Sequence, residues 1–82
     1  MMILSPITLN ITETSQDLQL LLSQQSQPYL RDKIVALYLL KLGKVKSFSD
    51  LAKTIGYDTN IIKHWLQIYS TQGLQGFLRV NP

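Results

Sequence analysis

The chain contains no cysteine. Neither a disulfide nor a thiolate metal site can therefore brace it. It has one histidine and five acidic residues. His64 has no cysteine and no carboxylate at ligand spacing on its own helix face, which argues against both a metal ligand and a general base. The acids Glu13, Asp17, Asp32, Asp50 and Asp58 mostly read as helix-start or surface residues, so a two-metal carboxylate site is excluded. Long apolar runs are missing too. The longest, Ile34–Leu40, falls far short of the ~20 residues that span a bilayer. Met1–Leu4 lacks a basic stretch and Ser5-Pro6 interrupts it, so no secretory signal is readable. These absences point to a cytoplasmic, non-enzymatic protein with no cofactor, metal, membrane or small-molecule substrate.

What is present fits one small domain. With 82 residues the chain sits near the lower limit of self-sufficient stability. A hydrophobic fraction of 45% is ordinary for a folded protein. Helix packing must supply the stability, with a partner chain as the other source. Eight Lys/Arg against five acids leave a net charge of +3. That excess suits a polyanion, but its placement matters more than its size.

At the N-terminus Ile7, Leu9 and Ile11 alternate with Thr8, Asn10 and Thr12, the period of a half-buried strand. No second strand is evident, and a lone strand is not stable, so residues 1–14 read as an extended arm. A first helix is predicted over Ser15–Gln25, capped by Thr14 or Ser15, with Asp17 at its positive end. A second runs from about Pro28 to Leu42, with proline in the first turn and Gly43 as a left-handed cap. Its two apolar stripes, Leu30/Ile34/Leu37/Tyr38 and Val35/Leu39/Leu42, predict a central helix buried on more than one side. After the connector Lys44-Val45-Lys46, Ser47 and Asp50 give a capping-box-like start to a third helix, Phe48–Ile55. Gly56 stops it. Asp58 caps a fourth helix to about Thr71, ended by Gln72-Gly73. Leu74–Pro82 reads as a linker-like tail.

The informative unit is the corner Leu51-Ala52-x-x-Ile55-Gly56-Tyr57-Asp58-x-x-x-Ile62-x-x-Trp65-Leu66, a helix-turn-helix over residues 47–71. Ala52 is small where two helices approach, and Gly56 permits a left-handed turn residue. At about 100° per residue, Ile62, Trp65, Leu66 and Tyr69 gather on one side of the last helix. Asn60, Lys63, His64, Gln67 and Thr71 gather on the other, with no acid among them. Asn and Gln side chains match adenine edges, and Lys63 can reach guanine or phosphate. Thr59 and Asn60 open the helix, where free amides favour a phosphate. Lys44 and Lys46 are further phosphate candidates, alongside Lys41; solubilising the loop explains them equally well. Trp65 reads as a core residue rather than a stacking platform. A polar side opposite an apolar stripe is also the ordinary solvent face of a helix, so the whole pattern carries the weight.

Beyond the corner, the chain resembles the N-terminal helix-turn-helix domain of insertion-sequence 630 and Tc1/mariner-type transposases. The resemblance runs from Ile7–Thr12 through Leu18–Leu22, the long apolar helix from Leu30, the corner at Leu51–Asp58, and Trp65-Leu66-x-x-Tyr69. Gly73-Leu74-Gln75-Gly76-Phe77-Leu78 looks like that family's Gly-Leu-x-Gly-Leu linker. It implies an all-α, homeodomain-like trihelical core, with an extra N-terminal helix and the arm, that binds double-stranded DNA at the ends of a mobile element. By the same resemblance Thr59, Asn60, Lys63, His64 and Gln67 would meet DNA. The family's last helix is richer in arginine than this one. Its second DNA-binding unit and RNase H-like catalytic domain would follow where this chain ends, which makes the chain read as an orphan end-recognition module or a derived regulator. The competing reading is a helical protein-interaction or dimerisation module, adaptor-like or antitoxin-like. A homodimer fits both.

Overall fold

The computed structural model describes residues 10–45 and 47–79. The strand-like alternation at Ile7 and Leu9, the connector residue Lys46 and the last residues of the tail lie outside them. The described chain is all-helical: α1 (Ser15–Gln24), α2 (Pro28–Leu42), α3 (Phe48–Ile55) and α4 (Thr59–Phe77). None of these helices is long and apolar enough to cross a membrane.

The four helix starts, and the stops of α2 and α3, fall where the sequence places them. Thr14 caps α1 in a reciprocal box: its hydroxyl accepts from the Asp17 amide at 3.0 Å, and the Asp17 carboxylate accepts from the Thr14 amide at 3.3 Å. At α3 only half of that arrangement forms, with the Ser47 hydroxyl accepting from the Asp50 amide at 3.1 Å. Pro28 opens α2 at no hydrogen-bonding cost, since a first-turn amide has no helical partner. Gly43 and Gly56 take left-handed conformations (φ 74° and 80°) that close α2 and α3.

The core joins all four helices: Leu18 of α1, Ile34, Ala36 and Leu37 of α2, Leu51 and Ala52 of α3, and Ile62, Trp65, Leu66 and Tyr69 of α4. α2 is central, packing against both α1 and α3. Its second apolar stripe is only half-buried, however, and Leu42 is 43% exposed at the helix end. The burial goes instead to Ala36 and to Lys33, which is 5% exposed. α2 reaches α4 through long side chains: the Trp65 indole N–H donates to the Tyr29 hydroxyl at 3.2 Å, and Lys33 Nζ donates to the Phe77 carbonyl at 2.9 Å.

One expectation is filled in and one is corrected. The described end of the arm, Asn10–Glu13, forms no strand and lies against the body. Ile11 is buried, Lys41 Nζ donates to the Ile11 carbonyl at 2.8 Å, and the Thr12 amide donates to the Tyr69 hydroxyl at 3.2 Å. The backbone that finds no sheet partner is thus met by side chains. The tail is not a linker through Phe77. Gly73 breaks α4 with φ 75° and ψ −170°, a region almost closed to other residues, and one further helical turn follows. Past that kink Phe77 lies in the core, fully buried, with its ring edge-on to Tyr69 at 5.6 Å.

Candidate nucleic-acid interface

The corner that positions the site is α3, the Gly56–Asp58 turn, and the first three turns of α4. Ala52 is buried, and its carbonyl accepts both the Gly56 and Tyr57 amides, at 2.8 and 3.0 Å. Tyr57 then points back across the turn. Its hydroxyl bonds the Asp32 carboxylate on α2, and its ring lies 4.7 Å from that of Trp65. The hydrogen bond to Asp32, reinforced by burial, pushes the Tyr57 hydroxyl from an ordinary 10.0 up to about 12. The neutral phenol, a donor, is therefore the form that holds the turn.

With Ile62, Trp65, Leu66 and Tyr69 buried, the opposite side of α4 is turned outward. Asn60, Lys63, His64, Gln67 and Thr71 are all exposed. The side chains of Asn60, Lys63, His64 and Gln67 take part in none of the hydrogen bonds among the described residues. Thr71 differs: its hydroxyl donates back to the Gln67 carbonyl at 3.0 Å, which removes its donor from any reading role. The face also divides. Lys63 Nζ lies 5.7 Å from the ring of Phe48, at the start of α3, on the side of the loop that carries exposed Lys44. His64 leans the other way and borders a cavity against α2.

The phosphate role expected at the start of α4 is not supported by the cap. The Asp58 carboxylate accepts the Asn60 amide at 3.0 Å, so an anion already occupies that end. A phosphate arriving there would face like charge. Thr59 is half-buried, which leaves Asn60 to act through its side-chain amide alone. Lys41, in the last turn of α2, donates to the Ile11 carbonyl and so serves the arm.

The cavity beside His64 holds groups that sequence patterning does not single out. It is a half-open cleft of about 420 Å³ lined by Tyr29, Lys33, His64, Trp65, Ile68, Gln72, Gly76 and Arg79. Lys33 enters it from beneath, with Nζ 4.9, 5.8 and 5.5 Å from the ring centres of Tyr29, Trp65 and Phe77. Among the described residues no group of three or more His, Cys, Asp or Glu side chains stands close enough to hold a metal ion. Comparison of the chain with protein-family models, with curated proteins and with solved structures returns no match.

Proposed function

We propose that this protein binds double-stranded DNA through α3 and α4 as a homeodomain-like helix-turn-helix, resembling the end-recognition module of a transposase. One observation carries the reading. The polar face of α4 is turned outward on a helix that Ile62, Trp65, Leu66 and Tyr69 lock from behind. A helix held so rigidly can present side chains to base edges without losing order on binding.

Asn60 and Gln67 supply paired donor and acceptor groups suited to adenine. Lys63 supplies a cation for guanine or phosphate, and His64 adds a further donor beside it. Lys44, on the neighbouring loop, serves the phosphate backbone.

The test is selection from a random duplex library at two salt concentrations. Enrichment of a common site and weakening with salt are expected, because each lysine–phosphate contact releases counterions. Replacing Asn60, Lys63 and His64 together by alanine should abolish binding while the helical circular-dichroism signal and melting curve stay in place. No enrichment and no salt dependence would defeat the proposal. The competing reading, an interaction or dimerisation module, draws on the exposed Leu20 and Leu42. Isolated exposed leucines are ordinary on monomers, so they weigh less than the organised face of α4.

A further inference from the structure

The cavity between α2 and the end of α4 is lined by basic groups and no acid. Lys33 is a charged side chain buried to all but 5% of its surface. Of its three N–H groups, one is used by the Phe77 carbonyl. The surrounding rings favour a cation but supply no charge to neutralise it. Across the same space stand Arg79 and His64, and no carboxylate lines the wall. Asp32, the acid on the adjoining position of α2, is turned away to Tyr57. A lysine, an arginine, a histidine and no acid thus share one concave space.

The rest of the lining describes the other half of a ligand. Tyr29 and Trp65 meet edge-on at 5.7 Å, and with Ile68 they give an aromatic and aliphatic wall. Gln72 brings an amide with both donor and acceptor to the rim. The space of about 420 Å³ falls in the range of small-molecule clefts and is far larger than an inorganic anion needs.

We infer that this cavity binds a phosphorylated aromatic compound of nucleoside monophosphate size. The phosphate lies between Lys33 and Arg79, and the base lies against Tyr29 and Ile68, over the buried edge of Trp65. Charge selects phosphate over carboxylate. A phosphomonoester carries roughly −1.5 to −2 near neutral pH, which matches two fixed cations, whereas a carboxylate would leave one unanswered. Arginine suits it further, since its planar fork holds phosphate through paired hydrogen bonds. The inference does not depend on DNA binding.

Trp65 is the sole tryptophan of the chain. Because it lines the cavity, its emission reports occupancy directly. Titrating the full chain with adenosine monophosphate, without DNA, should give a saturable change in that emission, confirmed by calorimetry. Inorganic phosphate and adenosine, each carrying half of the recognised chemistry, should bind at least about tenfold more weakly. Arg79→Gln, at an exposed position, should weaken the nucleotide about tenfold or more and leave the melting curve unchanged. Lys33→Met should do the same if it folds, and the arginine variant decides if it does not. No saturable response to the nucleotide, or an equal response from Arg79→Gln, overturns the assignment. So does loss of duplex affinity in Arg79→Gln with no nucleotide response, since the cavity would then be a contact for the DNA backbone.

Discussion

The Tyr57 hydroxyl, in the turn between α3 and α4, donates a 2.6 Å hydrogen bond to the Asp32 carboxylate on α2. This single contact ties the helix-turn-helix corner to the central helix. Tyr57→Phe keeps the ring against Trp65 but leaves a half-buried carboxylate without its donor. It should lower unfolding free energy by about 1–3 kcal/mol, read from urea melts. A midpoint equal to that of the parent protein would show that water replaces the hydroxyl at no cost.

The same contact sets an alkaline limit. The hydroxyl of Tyr57 is raised from 10.0 to about 12, first by the hydrogen bond to Asp32 and then by burial. Tyr69 is raised as well, by burial and by its hydrogen bond to Glu13. A raised folded-state value means that the folded chain keeps protons the unfolded chain gives up. Its stabilisation is complete below about pH 10 and is lost as pH climbs from there toward about pH 12. Urea midpoints measured at about pH 9 and about pH 11 should therefore fall, and fall less in Tyr57→Phe.

Phe77 provides a check on the end of α4. Being fully buried, it should cost about 3–5 kcal/mol when replaced by alanine. Small domains have total stabilities of only about 5–15 kcal/mol. Thermal melting of Phe77→Ala should show a large drop or an unfolded chain. A chain ending at Gln72 should behave likewise, whereas a true linker could be removed without effect.

Gly73 makes a sharper version of the same point. Alanine there must adopt φ near 75° with extended ψ, at a cost of about 1–3 kcal/mol, or straighten the helix and pull Phe77 out of place. Open space surrounds the position, so backbone strain and not collision is being measured. A melt unchanged in Gly73→Ala would contradict the observed kink.

For the proposed DNA complex, Lys63→Ala should weaken binding and reduce the slope of log affinity against log salt by about one. Gln67→Ala should instead relax sequence preference with little change in that slope. Both are measured on the sites that selection returns.

The capping positions were open to sequence reasoning because they act within a few residues. Thr14, Pro28, Gly43, Ser47, Gly56 and Asp58 each do locally what their chemistry implies, and the helix limits follow. The outward face of α4 was legible for a related reason: helical periodicity alone separates Ile62, Trp65, Leu66 and Tyr69 from Asn60, Lys63, His64 and Gln67. The end of the chain was not. Gly73 and Gly76 resemble a linker until Phe77 is seen against Tyr69, a contact that lies past the kink in α4. Lys33 was invisible for the same kind of reason, since its carbonyl partner lies 44 residues away. Tyr29 and Lys33 stand one helical turn apart, the only local trace of a shared side, and that spacing is too common to single them out.

The arrangement of Arg31, Lys33 and Lys41 has a further meaning. Each donates to a main-chain carbonyl of its own protein: Arg31 to Leu22, Lys33 to Phe77, and Lys41 to Ile11. Here cations act as staples between segments, doing for helix ends and loops what a sheet would do for strands. In the proposed DNA complex the eight basic residues would therefore overstate how firmly a polyanion is gripped. Among the described residues Lys44, Lys53, Lys63 and Arg79 remain exposed, which would make for a light electrostatic hold. Recognition by such a molecule would rest on fit more than on charge, and it would let go readily as ionic strength rises.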